Sequence, residues 1–229
     1  MLNPFIIIFG KLASGALRRL NLGHGSTWPG HLALKLNKHF IPDLLRNSGL
    51  QTIIIAGTNG KTTSSLMLRT ILEANGKKVI HNESGANLVN GIASSLLMQS
   101  SWHGKIQADY AIFEVDENAV PLILKEITPS YLLVLNLFRD QLDRYGEVAT
   151  IADKWEKAFG KLPEKSILVV NADDPRTAYL GMKRANTLYF GLPEPDKRIT
   201  THHEVTDSSY CPRCREKLKY HYILYSHLG

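Results

Sequence analysis

The sequence contains little cysteine, because Cys211 and Cys214 are the only two among its 229 residues. They form a single CxxC, which excludes the disulfide framework of small secreted proteins. The spacing is typical of half a zinc knuckle, in which two thiolates lie on one tight turn. One pair cannot complete a tetrahedral site. Either His221 and His227 supply the other ligands, or the set is incomplete.

Long apolar runs are also missing, since none reaches the ~18 to 20 residues that a membrane span needs. The run FIIIF near the N-terminus is followed, not preceded, by Lys11, Arg18 and Arg19, which is the wrong order for a secretory signal. We therefore expect a cytoplasmic protein. Residues 1–20 are expected to form a helix that either packs on the sheet or touches the membrane surface through Phe5–Phe9.

The sequence has no stripe of alternating basic and aromatic residues, which argues against nucleic acid as a partner. Its net charge of +6 and pI near 9.2 favour phosphate-rich or anionic partners only weakly. Hydrophobic and charged contents of 44% and 21% are ordinary for a globular protein. The length allows one or two domains with a substantial core.

The most informative stretch is TIIIAGTNGKTT at residues 52–63. The β-branched run 53–55 predicts a buried strand, Gly57 and Gly60 allow a tight turn, and Lys61 opens a helix that ends near Gly76. Backbone N–H groups and the helix dipole would face an anion there. An ordinary βα turn that happens to contain Gly-Lys is the simpler alternative. We favour a nucleoside triphosphate site, because the residues and their context agree.

Individual roles follow from the chemistry of this loop. Lys61 adds a mobile positive charge, and the Thr62 hydroxyl can hold Mg²⁺. The candidate nucleotide-binding residues of the loop are Gly57, Thr58, Asn59, Gly60, Lys61, Thr62 and Thr63.

Strands alternate with helices through the rest of the chain, which predicts an α/β fold with a doubly wound, mostly parallel sheet. After the first strand we expect strands at 78–81, 110–115, 131–137, 166–170 and 188–190. Polar clusters follow their C-terminal ends, where such sheets bind ligands. Glu114 and Asp116 end the third strand and are the candidate Mg²⁺ ligands.

The loop lacks the first glycine of the general GxxxxGK[ST] pattern, because Ile55 stands there. The shorter GTNGKTT resembles the ATP loop of the Mur ligases and the related folylpolyglutamate synthases. The segments SGANL, NLFRDQLDRYGE and NADDP, and CPRC followed by YSHLG, also resemble this family over nearly the whole chain. The resemblance implies the family's central ATP-binding domain, with the start of an inserted zinc ribbon.

The resemblance assigns further roles by position. Lys61 and Glu114 would act in catalysis, with Glu114 on Mg²⁺. Asn87 of SGANL would lie beside the γ-phosphate, and a helix cap is its alternative role. Asn171 of NADDP would lie near the adenine, although turn capping would also explain it. Lys154 stands where the family often carries a carbamylated lysine that binds metal, and a solvated helix residue is the alternative.

The sequence departs from the family at two positions. Asp116 stands where the family commonly has serine. Gln141 stands where it has the histidine that binds a second metal, and a neutral amide is a poorer ligand.

The resemblance is strongest to a branch of the family that amidates lipid II. It implies that ATP activates the α-carboxylate of D-glutamate as an acyl phosphate, which ammonia from a GatD-type glutaminase subunit converts to D-isoglutamine. The expected cofactors are ATP, Mg²⁺ and Zn²⁺, and lipid II would bring the protein to the inner membrane face. The alternatives are a folylpolyglutamate synthase or other amino-acid-adding ligase and, in another class, a zinc-ribbon nucleotide-binding interaction module.

We expect three segments: an N-terminal helical segment at 1–50, the ATP-binding domain at 51–195 and an incomplete zinc ribbon at 196–229. Fifty residues are too few for the nucleotide-sugar domain that precedes the ATP loop in the main Mur ligases. The resemblance also implies that a C-terminal domain lies outside this sequence and that the chain alone is inactive.

Overall fold

The structure is a computed structural model that describes residues 3–19, 27–46, 48–82, 85–138, 147–193 and 208–219. Its helices are α1 (Asn3–Arg19), α2 (Trp28–Leu36), α3 (Phe40–Leu45), α4 (Lys61–Ala74), α5 (Val89–Gln99), α6 (Val120–Glu126), α7 (Glu147–Phe159) and α8 (Pro175–Gly181). Its strands are β1 (Gln51–Ala56), β2 (Val79–His81), β3 (Tyr110–Val115), β4 (Tyr131–Val134), β5 (Ile167–Asn171) and β6 (Thr187–Phe190).

The strands form one sheet in the order β2-β3-β1-β4-β5-β6. Every neighbouring pair is parallel, which confirms the predicted α/β fold. β3 pairs with one edge of β1 and β4 with the other, so the chain crosses β1 between β3 and β4 and the direction of strand addition reverses there. Such a reversal opens a crevice at the carboxyl end of the strand. The loop at residues 57–60 follows β1 at that point.

The central strands β1 and β3 are buried on both faces, and the larger apolar cluster lies on one of them. Alternate residues of the central strands, such as Ile54 and Phe113, point into one large apolar cluster. Trp155 and Phe159 of α7 belong to that cluster, with ring centroids 5.7 Å apart, so one face of α7 packs on the sheet. Ile53, Ile55 and Ile112 point the other way, into a smaller cluster with residues of α4.

β4 ends at Val134, whereas the sequence predicted a strand over 131–137. The residues after Val134 instead contact the loop at residues 57–60. Leu135 N–H still donates to Ala56 O at 2.9 Å, but Asn136 O accepts from Thr58 N–H at 3.2 Å. The end of the predicted strand therefore supports the loop instead of extending the sheet.

Residues 28–45 form two helices with a short break between them. Asn37 ends α2, and its Oδ1 accepts from His39 N–H at 2.9 Å. α3 then begins at Phe40, which places Pro42 in its first turn. A proline there costs no helical hydrogen bond, whereas in one continuous helix it would break the ladder. Among the described residues, no helix is both long and apolar enough to cross a bilayer.

Candidate active site

The loop after β1 depends on two glycines. Gly57 has φ +152°, and a Cβ there would lie 3.0 Å from Leu135 Cβ and 3.2 Å from Asn136 N. Gly60 has φ +83° and occupies the N-cap of α4. Both need a residue without a side chain, so the backbone approaches this crevice closely.

Asn136, two residues after the end of β4, holds the loop through its side chain. Its Oδ1 accepts from Asn59 N–H at 2.9 Å, and its Nδ2 donates to Asn59 O at 3.1 Å. Thr58 adds a hydroxyl that donates to Phe138 O at 3.2 Å. Sequence analysis assigned no role to Asn136, although its position at the end of a predicted strand was a signal. It fixes the loop backbone before any ligand binds.

Lys61 folds back over the loop that it follows. Its Nζ donates to Gly57 O at 2.5 Å and Thr58 O at 3.0 Å, and lies 3.7 Å from the Glu117 carboxylate. The ammonium group is therefore held at the mouth of the loop, where an incoming anion would meet it.

Glu114 and Thr62 form the second part of the site. The Thr62 hydroxyl donates to Glu114 Oε2 at 2.6 Å, and Glu114 is only 4% exposed. A hydroxyl and a carboxylate in contact at the start of a helix are oxygen ligands of the type that Mg²⁺ prefers. The structure thus brings together two residues that the sequence predicted as metal ligands.

Asn82 holds Glu114 in place. Sequence analysis did not identify Asn82 as a residue of the site. Its Oδ1 accepts from Glu114 N–H at 2.9 Å, and its Nδ2 donates to Glu114 O and Ala86 O, each at 2.8 Å. β2 ends at His81, so the Asn82 amide continues the pairing with β3 where the strand backbone stops. The signal was a buried polar residue directly after a strand.

Glu117 is a second residue without an assigned role. Burial raises the pKa of its carboxyl, while the nearby Lys61 charge acts in the opposite direction. Trp155 Nε1 donates to Glu117 O at 2.8 Å, which ties this turn to α7. Glu117 thus places a carboxylate beside Lys61, in addition to the Glu114 carboxylate beside Thr62.

Asn87 and Asp116 lie next to each other. Asp116 N–H donates to Asn87 O at 3.1 Å, and Asp116 Oδ1 accepts from Asn118 N–H at 3.0 Å. One Asp116 oxygen therefore stabilises the turn that begins α6. Its role as a metal ligand stays a prediction, as does the position of Asn87 beside the γ-phosphate.

The polar residues after β5 support a turn. Asn171 Oδ1 accepts from Asp173 N–H at 2.9 Å. Asp174 caps α8 by accepting from Arg176 N–H at 2.9 Å, and its other oxygen accepts from Leu137 N–H at 2.7 Å. Burial raises the Asp174 pKa, against the effect of these hydrogen bonds. Turn capping therefore explains Asn171 and Asp174, and the adenine contact of Asn171 stays a prediction.

Lys154 is exposed on α7, and its role as a carbamylated metal ligand stays a prediction. Gln141 lies outside the described residues.

Cys211 and Cys214 lie in a short hairpin closed by the bridge between Tyr210 and Lys217. Hydrogen bonds from the backbone of Cys214 and Arg213 lower the Cys211 pKa, which favours the thiolate that binds metal. The part of the chain that the structure describes contains no group of three or more candidate metal ligands. A zinc site is therefore not shown, and His221 and His227 lie outside the described residues.

These residues fit MgATP. The glycines leave room for phosphate oxygens against the backbone, Lys61 supplies a cation, and Thr62 and Glu114 supply paired oxygens for the metal. Asp116 and Glu117 follow β3, and Glu117 lies 3.7 Å from Lys61.

Comparison with known proteins identifies relatives of the chain. The family model of the Mur ligase middle domain matches residues 55–221. A lipid II isoglutaminyl synthase (glutamine-hydrolyzing) subunit MurT from Staphylococcus aureus (strain COL) is 36% identical over 97% of this chain and 49% of its own length. The Streptococcus pneumoniae (strain R6) subunit of the same name is 34% identical over 97% and 48%. The chain spans about half the length of these curated relatives.

Solved structures agree on the fold. A pseudomurein peptide ligase type C from Methanothermus fervidus has a TM-score of 0.60 at 27% identity, covering 82% of this chain and 36% of that one. The MurF ligase of Thermotoga maritima in complex with ADP has a TM-score of 0.58 at 22% identity, covering 71% and 36%. ATP and Mg²⁺ are the cofactors of this family. The chain belongs to the Mur ligase family and contains its middle domain.

Proposed function

We propose that this chain is the ATP-binding part of a MurT-type subunit of lipid II isoglutaminyl synthase. The observation that carries the proposal is the Thr62–Glu114 contact at 2.6 Å beside the glycine loop, in a chain similar to MurT over 97% of its length. Together they support an ATP-dependent carbon–nitrogen ligase that amidates the D-glutamate α-carboxylate of lipid II.

We propose the following roles for the described residues of the site. Backbone N–H groups of residues 57–63 would bind the phosphates, and Lys61 would exchange its carbonyl partners for phosphate oxygens. Thr62 and Glu114, with Asp116 as a further candidate, would hold Mg²⁺, which neutralises charge on the phosphates when bound. Glu117 would keep Lys61 oriented toward the loop.

The proposed reaction has two steps. A carboxylate oxygen of the stem D-glutamate attacks the γ-phosphorus of ATP, the bond to the β–γ bridging oxygen breaks, and ADP leaves. Ammonia then attacks the acyl carbon, phosphate leaves with the bonding pair, and the nitrogen loses a proton to give the amide. Charge develops on the transferring phosphoryl group in the first step, next to Lys61 and the loop N–H groups.

We propose that the ammonia comes from a second, glutaminase subunit of the GatD type. The relatives are named as subunits of a glutamine-hydrolysing enzyme. The two cysteines of this chain are the CPRC pair, so it has no separate thiol for the covalent step of a cysteine-dependent glutaminase.

We propose the segment limits 1–50, 51–195 and 196–229 for the helical, ATP-binding and zinc-ribbon parts. The described sheet lies within the second segment. Cys211 and Cys214 supply two thiolates for zinc in the third, in a hairpin that suits a metal knuckle.

The test uses the full coding sequence of the protein. Purified protein with MgATP and lipid II should convert the stem glutamate to its amide at high ammonium concentration. A GatD-type glutaminase and glutamine should sustain the same reaction at low ammonium. Mass spectrometry reads the exchange of hydroxyl for amine in the lipid product.

Two results would overturn the proposal. Addition of a whole amino acid to the acceptor would favour an amino-acid-adding ligase. Glutamylation of a folate by the same preparation would favour a folylpolyglutamate synthase. Lys61→Ala is the control, because it should stop whichever ligase reaction occurs.

A further inference from the structure

The outer face of α1 carries an uninterrupted apolar stripe. Its inner side is packed in the core, where Ile6 and Ile7 are 4% and 0% exposed. On the opposite side, apolar residues three or four positions apart line up along the helix. We define the α1 outer face as Phe5, Ile8, Phe9 and Leu12, which are 73%, 38%, 59% and 61% exposed.

A surface helix of a globular protein normally turns charged residues to the solvent. α1 has Lys11 as its only charged residue before Arg18. It is therefore apolar on both sides, and large exposed apolar patches mark interaction sites.

The N-terminal segment that contains α1 is strongly basic. Residues 1–50 contain one acidic residue, Asp43, and six basic ones, so this segment carries +5 of the chain's net +6. The basic residues are Lys11, Arg18, Arg19, Lys35, Lys38 and Arg46. Asp43 is engaged by Asn3 Nδ2 at 3.3 Å and Asn37 Nδ2 at 2.9 Å. The segment that presents the apolar stripe is thus also the basic part of the chain.

A half-exposed tryptophan lies beside the helix. Trp102 is 51% exposed, and Lys11 Nζ lies 5.3 Å from its ring centroid. Lys11 also donates to Ser100 O, which fixes it between α1 and the end of α5. Tryptophan is enriched at the level of lipid headgroups, and lysine can extend its charged group to that level.

We propose that the α1 outer face docks on an anionic lipid bilayer, with the helix lying in the plane of the interface. The apolar stripe enters the headgroup–acyl boundary, and the surrounding basic residues pair with anionic headgroups. α5 begins just after Asn87 of the site and ends beside Lys11, and its 11 residues span roughly 16 Å. The candidate nucleotide site therefore lies near the opposite end of α5, roughly 16 Å from Lys11.

The test measures binding of the chain to lipid vesicles by co-sedimentation. Vesicles of phosphatidylcholine mixed with phosphatidylglycerol should bind it at least about tenfold more strongly than pure phosphatidylcholine, because each basic residue near the surface adds attraction. Added salt should weaken the binding. The assay needs neither ATP nor lipid II, so its failure is distinct from a failure of the proposed ligase activity.

Phe9→Glu should lower binding to the anionic vesicles at least about tenfold, because it places a carboxylate in the apolar stripe. The matched control is Leu122→Glu on α6, where the native leucine is 53% exposed; it should bind like the wild type. Circular dichroism should show folded protein in each case. Phe5→Ser serves as a second variant, since Phe5 is 73% exposed and its loss does not disturb the core.

The inference is overturned if the wild type does not prefer the anionic vesicles, or if Phe9→Glu and Phe5→Ser bind like the wild type. Light scattering measures whether the chain is a monomer or a dimer. A wild-type dimer that Phe9→Glu converts to monomer, with unchanged lipid binding, would assign the face to a second copy of the chain and overturn it.

Discussion

Removal of the Asn82 side chain should test how Glu114, the proposed metal ligand, is held in place. Asn82→Ala deletes three hydrogen bonds, at 2.9, 2.8 and 2.8 Å, that join it to Glu114 N–H, Glu114 O and Ala86 O. Asn82 is 3% exposed and Glu114 4%, so water cannot freely replace the lost partners. Each net hydrogen bond contributes about 1 kcal/mol, and an unsatisfied buried group costs somewhat more.

We therefore expect Asn82→Ala to lower the free energy of unfolding by about 3 kcal/mol. Urea unfolding followed by circular dichroism measures it, with an unchanged m-value showing that the denatured state is unaffected. Asn75→Ala is the matched control, because Asn75 Nδ2 donates to Ile71 O at 2.8 Å on an exposed helix end. That variant should lose no more than about 0.5 kcal/mol.

The same variant should weaken ADP binding more in Mg²⁺ than in EDTA, since Glu114 would no longer be fixed opposite Thr62. Equal stabilities of Asn82→Ala and Asn75→Ala would refute the role given to Asn82. A destabilised protein with unchanged Mg²⁺ dependence would confine that role to the fold.

Three further changes have defined outcomes. Burial raises the Glu117 pKa, so the folded protein keeps this proton to higher pH than the unfolded chain and loses stability as pH rises through that window. Glu117→Gln should therefore raise the melting temperature relative to wild type more at neutral than at acidic pH. A larger gain at acidic pH would show that attraction to Lys61 prevails. Asp174→Ala should cost about 2 kcal/mol in urea unfolding through the lost cap of α8, with Asp174→Asn milder because it keeps an acceptor; equal losses would argue against the cap. Cys211 and Cys214 should bind zinc weakly enough for a mild chelator to remove it, whereas a complete structural site contributes roughly 10 kcal/mol or more. One zinc that resists chelation would show further ligands, such as His221 or His227.

The sequence pattern predicted those elements that depend only on residues close together in the chain. The run Ile53–Ile55, the glycines and Lys61 predicted β1, the loop and α4, because strand burial, turn geometry and helix start are each encoded within a few residues. Trp155 and Phe159 lie on one face of α7 for a similar reason, because residues four apart meet on the same side of a helix.

The parts that sequence reasoning missed depend on contacts between distant segments. Asn136 meets Asn59 across 77 residues, and Asn82 meets Glu114 across 32. Neither residue type differs from an ordinary turn asparagine until the sheet order is known. The strand order determines which strand ends are neighbours, so these roles emerged only from the structure.

The most direct test of the central claim is calorimetric titration of the chain with a non-hydrolysable MgATP analogue. Wild type should bind it, and Lys61→Ala should bind at least about tenfold more weakly, equivalent to about 1.4 kcal/mol. Glu114→Gln should bind about equally in Mg²⁺ and in EDTA, because the variant removes the carboxylate that we propose as the metal ligand. All three should give the same circular dichroism spectrum. Equal affinities for all three proteins in Mg²⁺ would contradict the assignment of the nucleotide site to this loop.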